Sequence, residues 1–109
     1  MNWYVQYLPE AKKDLAEFDK NIKIAVLSAV KKVSTNPVPY TEGGYGKPLG
    51  KKRQSDLTGF LKIKLLKYGI RVVYKLIRTE TEMLIVVIGA RKDDQVYKLA
   101  AKRIEKHGL

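Results

Sequence analysis

The residues best suited to chemistry lie in the middle of the chain and are cationic. Between Lys47 and Lys75 stand nine basic residues (Lys47, Lys51, Lys52, Arg53, Lys62, Lys64, Lys67, Arg71 and Lys75) and a single acid, Asp56. Lys62 and Lys64 are two apart, which on a β-strand puts both on one face. Tyr68-Gly69 then reads as a tight turn into a second strand. With a two-residue turn, Leu66 pairs with Arg71 and Lys64 with Val73. One face carries Leu61, Ile63, Leu65, Val72, Tyr74 and Leu76; the other carries Lys62, Lys64, Leu66, Arg71, Val73 and Lys75. A slip of one residue would split the apolar set, so the hydrophobic pattern selects this pairing. The expectation is an exposed face shared by Lys62, Lys64, Arg71 and Lys75. Arginine offers bidentate contacts to a phosphate and lysine a compact point charge. Like charges on neighbouring strands repel mildly, which makes sense if phosphates sit between them. A solvated outer face is the alternative.

Other chemistries fit poorly. The chain has one histidine, His107, and no cysteine. His107 reads as a helix-end residue, and no His or Cys cluster is present to hold zinc. Gly43, Gly44, Gly46 and Gly50 are not followed by the Gly-Lys-Ser/Thr of a phosphate-binding P-loop. Glu80 and Glu82 fall at a strand turn, and Asp93 and Asp94 at a helix start, so paired-carboxylate catalysis is not expected. Acid–base chemistry here would have to come from Lys, Tyr or Arg.

These side chains need elements to position them. Trp3 to Leu8 reads as a strand, rich in aromatic and β-branched residues. Pro9 suits the first turn of a helix over Glu10 to Asp19. Asn21 is a plausible N-cap for a second helix carrying the stripe Ile22, Ala25, Val26, Ala29, Val30 and Val33, which Asn36-Pro37 ends. Residues 36–56 form a long loop, either a functional or mobile segment or a plain flexible connector. Strands follow over Leu57 to Leu66, Ile70 to Arg78 and Glu82 to Gly89, the last apolar on both faces as a central strand should be. Asp93 to His107 is a helix with Val96, Leu99, Ala100 and Ile104 as its buried stripe. The order β-α-α-β-β-β-α is an α+β fold with an antiparallel-rich sheet.

At 109 residues the chain is expected to form a single domain, residues 1–109. Lys plus Arg total 22 against 11 acids, a formal charge of +11. A domain this basic calls for an anionic partner: nucleic acid first, then an acidic protein or an anionic membrane surface. The first helical region mixes signs, so the basic face belongs to the middle of the chain. No signal peptide is read at the N-terminus, and runs such as Met83 to Ile88 are too short to span a bilayer. Cytoplasm is the expected location.

Taken together, Leu61-Lys-Ile-Lys-Leu65, Gly69-Ile-Arg-Val-Val-Tyr74, Gly89-Ala-Arg91 and Val96-Tyr97 resemble, in order and spacing, the RelE branch of the RelE/ParE toxin superfamily. The helical hairpin and the Lys47-x-Leu49 element before the strands also fit, so the resemblance covers nearly the whole chain. It implies a RelE-like fold and a toxin of a type II toxin–antitoxin system. Such a toxin is a ribosome-dependent endoribonuclease (an mRNA interferase) that cuts mRNA in the ribosomal (30S) A site and is neutralised by a cognate antitoxin. Carried over by position, the implied catalytic set is Lys62, Lys64, Arg71, Arg91 and Tyr97. Lys47, Lys51, Lys52, Arg53 and Lys75 are the expected RNA- and phosphate-binding residues. No cofactor or metal is implied, and no membrane partner, because the RNA 2′-hydroxyl itself can attack the phosphorus. In this reading Lys62 or Lys64 is the base, Arg71 and Arg91 hold the phosphate, and Tyr97 stacks on a base or joins in proton transfer. Ala90 stands where some relatives carry a basic residue, and Asp93 and Asp94 bring negative charge close behind Arg91. The competing functions are a ParE-like gyrase-inhibiting toxin and a non-catalytic RNA-binding module.

Overall fold

The computed structural model describes residues 2–52 and 55–109. β1 (Tyr4–Tyr7) leads into α1 (Pro9–Ala16) and α2 (Lys20–Ser34). Two-residue strands follow: β2 (Lys47–Pro48), β3 (Lys51–Lys52) and β4 (Ser55–Asp56). The meander is β5 (Leu61–Leu65), β6 (Ile70–Ile77) and β7 (Glu82–Ala90), and α3 (Gln95–His107) closes the chain. The main sheet runs β1-β7-β6-β5-β2, with β1 parallel to β7 and the other neighbours antiparallel. This is an α+β fold with the expected order, to which three very short strands are added between α2 and β5.

Local chemistry sets the helix ends. Pro9 occupies the first turn of α1, where its missing N–H is no loss. The N-cap of α2 is Asp19, not Asn21: the Asp19 carboxylate accepts a 3.0 Å hydrogen bond from the Ile22 N–H. Both residue types cap well, and the one placed three residues before a free N–H takes the position. Asp94 adopts left-handed backbone (φ 57°) just before α3 and makes no side-chain cap, so α3 begins two residues later than the sequence pattern indicates.

The sheet register differs from the sequence expectation by two residues. Lys64 faces Arg71 and Leu65 faces Ile70, because a short 3-10 turn, Leu66–Tyr68, and a left-handed Gly69 replace the two-residue turn. A two-residue shift preserves face parity. Leu61, Ile63, Leu65, Val72 and Tyr74 are therefore all buried on one face, and α2 packs along β5 through its buried Val26, Val30 and Val33.

The opposite face, which carries Lys62, Lys64, Arg71, Val73 and Lys75, is not the exposed face expected. α3 packs over β7 and β6 on this side. Gly89, which pairs with Arg71, lies against Val96 of α3. Val73, Val87, Val96 and Ala100 are fully buried, and Arg71 is only 9% exposed. Both faces of the sheet are thus covered, and the cations emerge only where α3 stops.

An acid–base pair locks α3 to α1. β1 pairs β7 only as far as Ile85, so β7 needs other partners beyond that point. Asp14 of α1 accepts from the Ile88 N–H at 3.0 Å, and Arg103 of α3 donates to the Val86 carbonyl at 3.0 Å. The two side chains also join each other through two hydrogen bonds, at 2.6 and 3.0 Å.

The segment after α2 is hydrogen-bonded within itself and to β6 where it approaches the sheet. Pro39 bridges to Gly46, and the N–H groups of Tyr40, Gly44, Tyr45 and Gly46 all donate within residues 36–46. The phenol of Tyr74, buried in β6, donates to the Pro37 carbonyl at 2.8 Å. Burial pushes that phenol above its ordinary range, so it remains a donor. A side chain at Gly46 would overlap Leu61, Tyr74 and the Pro37 carbonyl, and this close approach seats the loop on the sheet.

Candidate phosphate-binding site

Four elements contribute to one end of the α3-covered face. Lys62 and Lys64 come from β5, and Arg71 sits opposite Lys64 on β6. Gly89 of β7 pairs with Arg71, and two residues further on is Arg91, whose N–H donates to the Gly69 carbonyl at 2.9 Å. Tyr97 comes from the first turn of α3, and its hydroxyl accepts from Lys62 Nζ at 3.4 Å. The Lys62 ammonium also lies 5.7 Å from the centre of the Tyr97 ring, within range of a cation–π contact. Lys62, Lys64, Arg71, Arg91 and Tyr97 are therefore neighbours in a chain of pairings, although they span 36 positions of sequence, counting both ends.

Their environments differ. Lys64 is exposed and Lys62 half-buried. Arg71 donates from Nη1 to the Ile70 carbonyl at 3.1 Å, while its Nε is buried without a hydrogen-bond partner among the described residues. A buried donor left unpaired costs about 1–3 kcal/mol and more when its group is charged, and a site that later receives an anion is a physical reason to retain one. The Arg91 side chain is half exposed and forms a 3.3 Å ion pair with Asp94, one helical turn on. The negative charge behind Arg91 is thus real and holds the guanidinium at the site's edge.

Tyr97 is only 2% exposed. A ring this buried presents little face to a base, whereas its hydroxyl meets Lys62.

The outlying cations are distributed more widely. Lys47 pairs with Lys62 across the β2–β5 ladder and extends the cluster. Lys75 lies two ladder positions beyond Val73, with its ammonium 5.7 Å from the Phe60 ring; it stands on the same face but away from Arg91. Lys51 and Lys52 form β3, paired with β4, and Arg53 lies outside the described residues. His107 is not at the site; its Nε2 pairs with Glu10 at 2.8 Å. Among the described residues no group of three His, Cys, Asp or Glu side chains could hold a metal ion.

Two site-lining residues escaped the sequence reading. Lys32 and Tyr45 line a cleft of about 300 Å³ together with Lys47, Lys62 and Lys64. Lys32 looked like one more charge on the polar side of α2, and Tyr45 like one more loop residue. The available signal was a tyrosine placed between Gly44 and Gly46, where the backbone is held tightly and the ring must point out.

No family model matches the chain. A curated RelE-like toxin protein of Escherichia coli is 30% identical over 104 residues, covering 95% of this chain and 99% of that protein. Among solved structures, an arginine-substituted mutant of Escherichia coli RelE in the free state superposes with a TM-score of 0.72 at 22% identity, covering 95% of this chain and 99% of that one. The toxin–antitoxin complex RelBE2 of Mycobacterium tuberculosis gives 0.66 at 23% identity, covering 85% and 95%. The sequence match over 95% of the chain shows the family and the shared fold agrees with it: the chain belongs to the RelE-like toxin family.

Proposed function

We propose that this protein is the toxin of a type II toxin–antitoxin system and a ribosome-dependent endoribonuclease acting on mRNA in the cytoplasm. The observation that carries the reading is Arg71, buried with an unpaired guanidinium N–H, directly opposite Lys64 and beside the Lys62–Tyr97 contact. This is an anion site built into the sheet rather than a diffuse surface charge.

The reaction is an in-line attack of the RNA 2′-hydroxyl on the adjacent phosphorus. The 2′-O–P bond forms and the P–O5′ bond breaks, leaving a 2′,3′-cyclic phosphate and a 5′-hydroxyl. Lys62 or Lys64 takes the 2′-proton. Arg71 and Arg91 hold the non-bridging oxygens as charge builds on them, work worth about 10²–10³ in rate for one well-aimed donor. Arg91 must exchange Asp94 for the phosphate, and from there it stabilises the departing 5′-oxygen, which becomes the 5′-hydroxyl by taking up the proton that the lysine removed from the 2′-hydroxyl. The Tyr97 hydroxyl orients the Lys62 amine.

An antitoxin partner follows from the same reading, and solved relatives include an intact Escherichia coli RelBE toxin–antitoxin complex. No helix among the described residues is long and apolar enough to cross a membrane.

The test is to incubate the protein with purified ribosomes translating a defined mRNA and to map new 5′ ends. Wild type is expected to cleave within the A-site codon, and Arg91→Ala to lose cleavage and growth arrest while keeping its circular dichroism spectrum and antitoxin binding. A fully toxic Arg91→Ala contradicts the site. Trapped gyrase–DNA complexes without RNA cleavage contradict the reaction.

A further inference from the structure

The Lys62 and Lys64 side chains border a cleft that continues away from the buried arginine. Its walls hold Lys32, Lys47, Lys62, Lys64 and Tyr45, over an apolar floor from α2 and β5. β2 pairs only with Leu61 and Lys62, so the cleft runs along the edge of β5 beyond the end of that ladder. A second cleft, of about 370 Å³, adjoins it and is lined by Tyr40, Tyr45, Lys47 and Pro48. Tyr45 and Lys47 border both. Among the described residues, neither cleft is lined by an acidic side chain.

We propose that these clefts form a subsite for unpaired RNA flanking the scissile phosphate, with Tyr45 and Tyr40 as stacking platforms and Lys32 and Lys47 as phosphate contacts. The inference rests on the ribonuclease reading of the adjoining site. Neither ring belongs to the core: Tyr40 is 65% exposed and Tyr45 51%. The backbone that carries Tyr45 is held by hydrogen bonds. The Tyr45 N–H donates to the Asn36 carbonyl at 2.9 Å, and the Asn36 side chain donates to the Gly43 carbonyl at 3.1 Å. A backbone already ordered loses little freedom when a base stacks on its rings. The Lys32 ammonium stands 5.3 Å from the centre of the Tyr45 ring, and Lys32 lines only the first cleft. The arrangement thus separates roles: phosphate among the lysines on one side of Tyr45, a base between Tyr45 and Tyr40 on the other. Aromatic rings beside a cationic track are the usual means of holding single strands without reading their sequence.

The experiment measures binding of a fluorescein-labelled single-stranded hexaribonucleotide by anisotropy, in an Arg91→Ala background so that no cleavage intervenes. Tyr45→Ala is expected to weaken binding about tenfold, and Tyr45→Trp to retain it, with the new indole quenched on RNA addition. Lys32→Ala is expected to lower the slope of log affinity against log salt by about 0.7. Binding of the same sequence as a duplex should be unchanged by Tyr45→Ala. The proposal is overturned if Tyr45→Ala binds the single strand within twofold of its parent. It is also overturned if that variant loses only binding to an acidic partner protein, which would make the clefts a protein-docking surface. A wild type that cleaves mRNA while Tyr45 is silent overturns this inference alone. A wild type that binds RNA through Tyr45 but never cleaves it overturns the ribonuclease reading alone.

Discussion

Arg71 is the residue at which the proposed function and stability diverge. Its guanidinium is buried on the sheet with Nε unpaired, so the fold gains little from its charge. Replacing a buried ionic group by an apolar one of similar length is often neutral or stabilising. Arg71→Met is therefore expected to keep or raise the thermal midpoint while slowing mRNA cleavage by about 10²-fold or more. Thermal denaturation and a cleavage assay on the same preparation check both halves; a destabilised Met variant would mean that Arg71 is a structural residue. That Arg71 shares a face with Lys62 and Lys64 was legible in the sequence, because period-two parity survives a register error of two. Its burial was not legible. It depends on Val96 and the rest of α3 docking over Gly89, a contact set by residues with no local relation to Arg71. The burial of the Tyr97 ring has the same origin.

At the level of elements, α3 is the part that turns a basic strand face into a confined site, and its attachments to α1 matter accordingly. Asp14 and Arg103 are 17% and 13% exposed in their side chains and also satisfy two backbone groups of β7. Arg103→Ala leaves the Asp14 carboxylate largely buried without its partner and is expected to cost about 3 kcal/mol, measured by urea denaturation. A loss below about 0.5 kcal/mol would reduce the pair to an ordinary surface contact.

The outer tie titrates. The hydrogen bond from His107, then the backbone of Glu10 and the Lys106 ammonium, hold the Glu10 carboxyl at about 2 against an ordinary 4.5. A folded-state value below the unfolded one stabilises the fold above about 4.5, and the contribution is lost as the pH falls towards 2. Glu10→Gln is expected to flatten the stability profile in that window and to leave its shape at neutral pH unchanged. Urea midpoints across the acid range test this, and an unaltered acid limb would contradict it. Helix positions were legible from apolar periodicity. Their ends and mutual ties were less so, since Asp19 and Asn21 are both good caps, and Asp14 reads as a solvated helix charge until β7 is found beside it.

For the whole molecule, the strongly basic composition points to an anionic partner, and the order of the strand segments points to the family that the match over 95% of the chain shows. The parallel pairing of β1 with β7 carried no local signature. It joins the first strand to the last across all the intervening elements, and alternation within Tyr4–Tyr7 says nothing about its neighbour. The segment between α2 and β5 reads as a loop because its order comes from backbone hydrogen bonds and from Tyr74 beneath it, neither of which has a hydrophobic period.

The central claim is that this clustered site cleaves mRNA by using the RNA's own 2′-hydroxyl. Its most direct test programs purified ribosomes with two mRNAs that differ only in a single 2′-deoxynucleotide at the mapped cleavage position of the A-site codon. The all-ribose mRNA should be cut, with a 2′,3′-cyclic phosphate on the upstream fragment and a 5′-hydroxyl on the downstream one, and the deoxy-substituted mRNA should survive intact. Equal cleavage of both, or cleavage of neither, would contradict it.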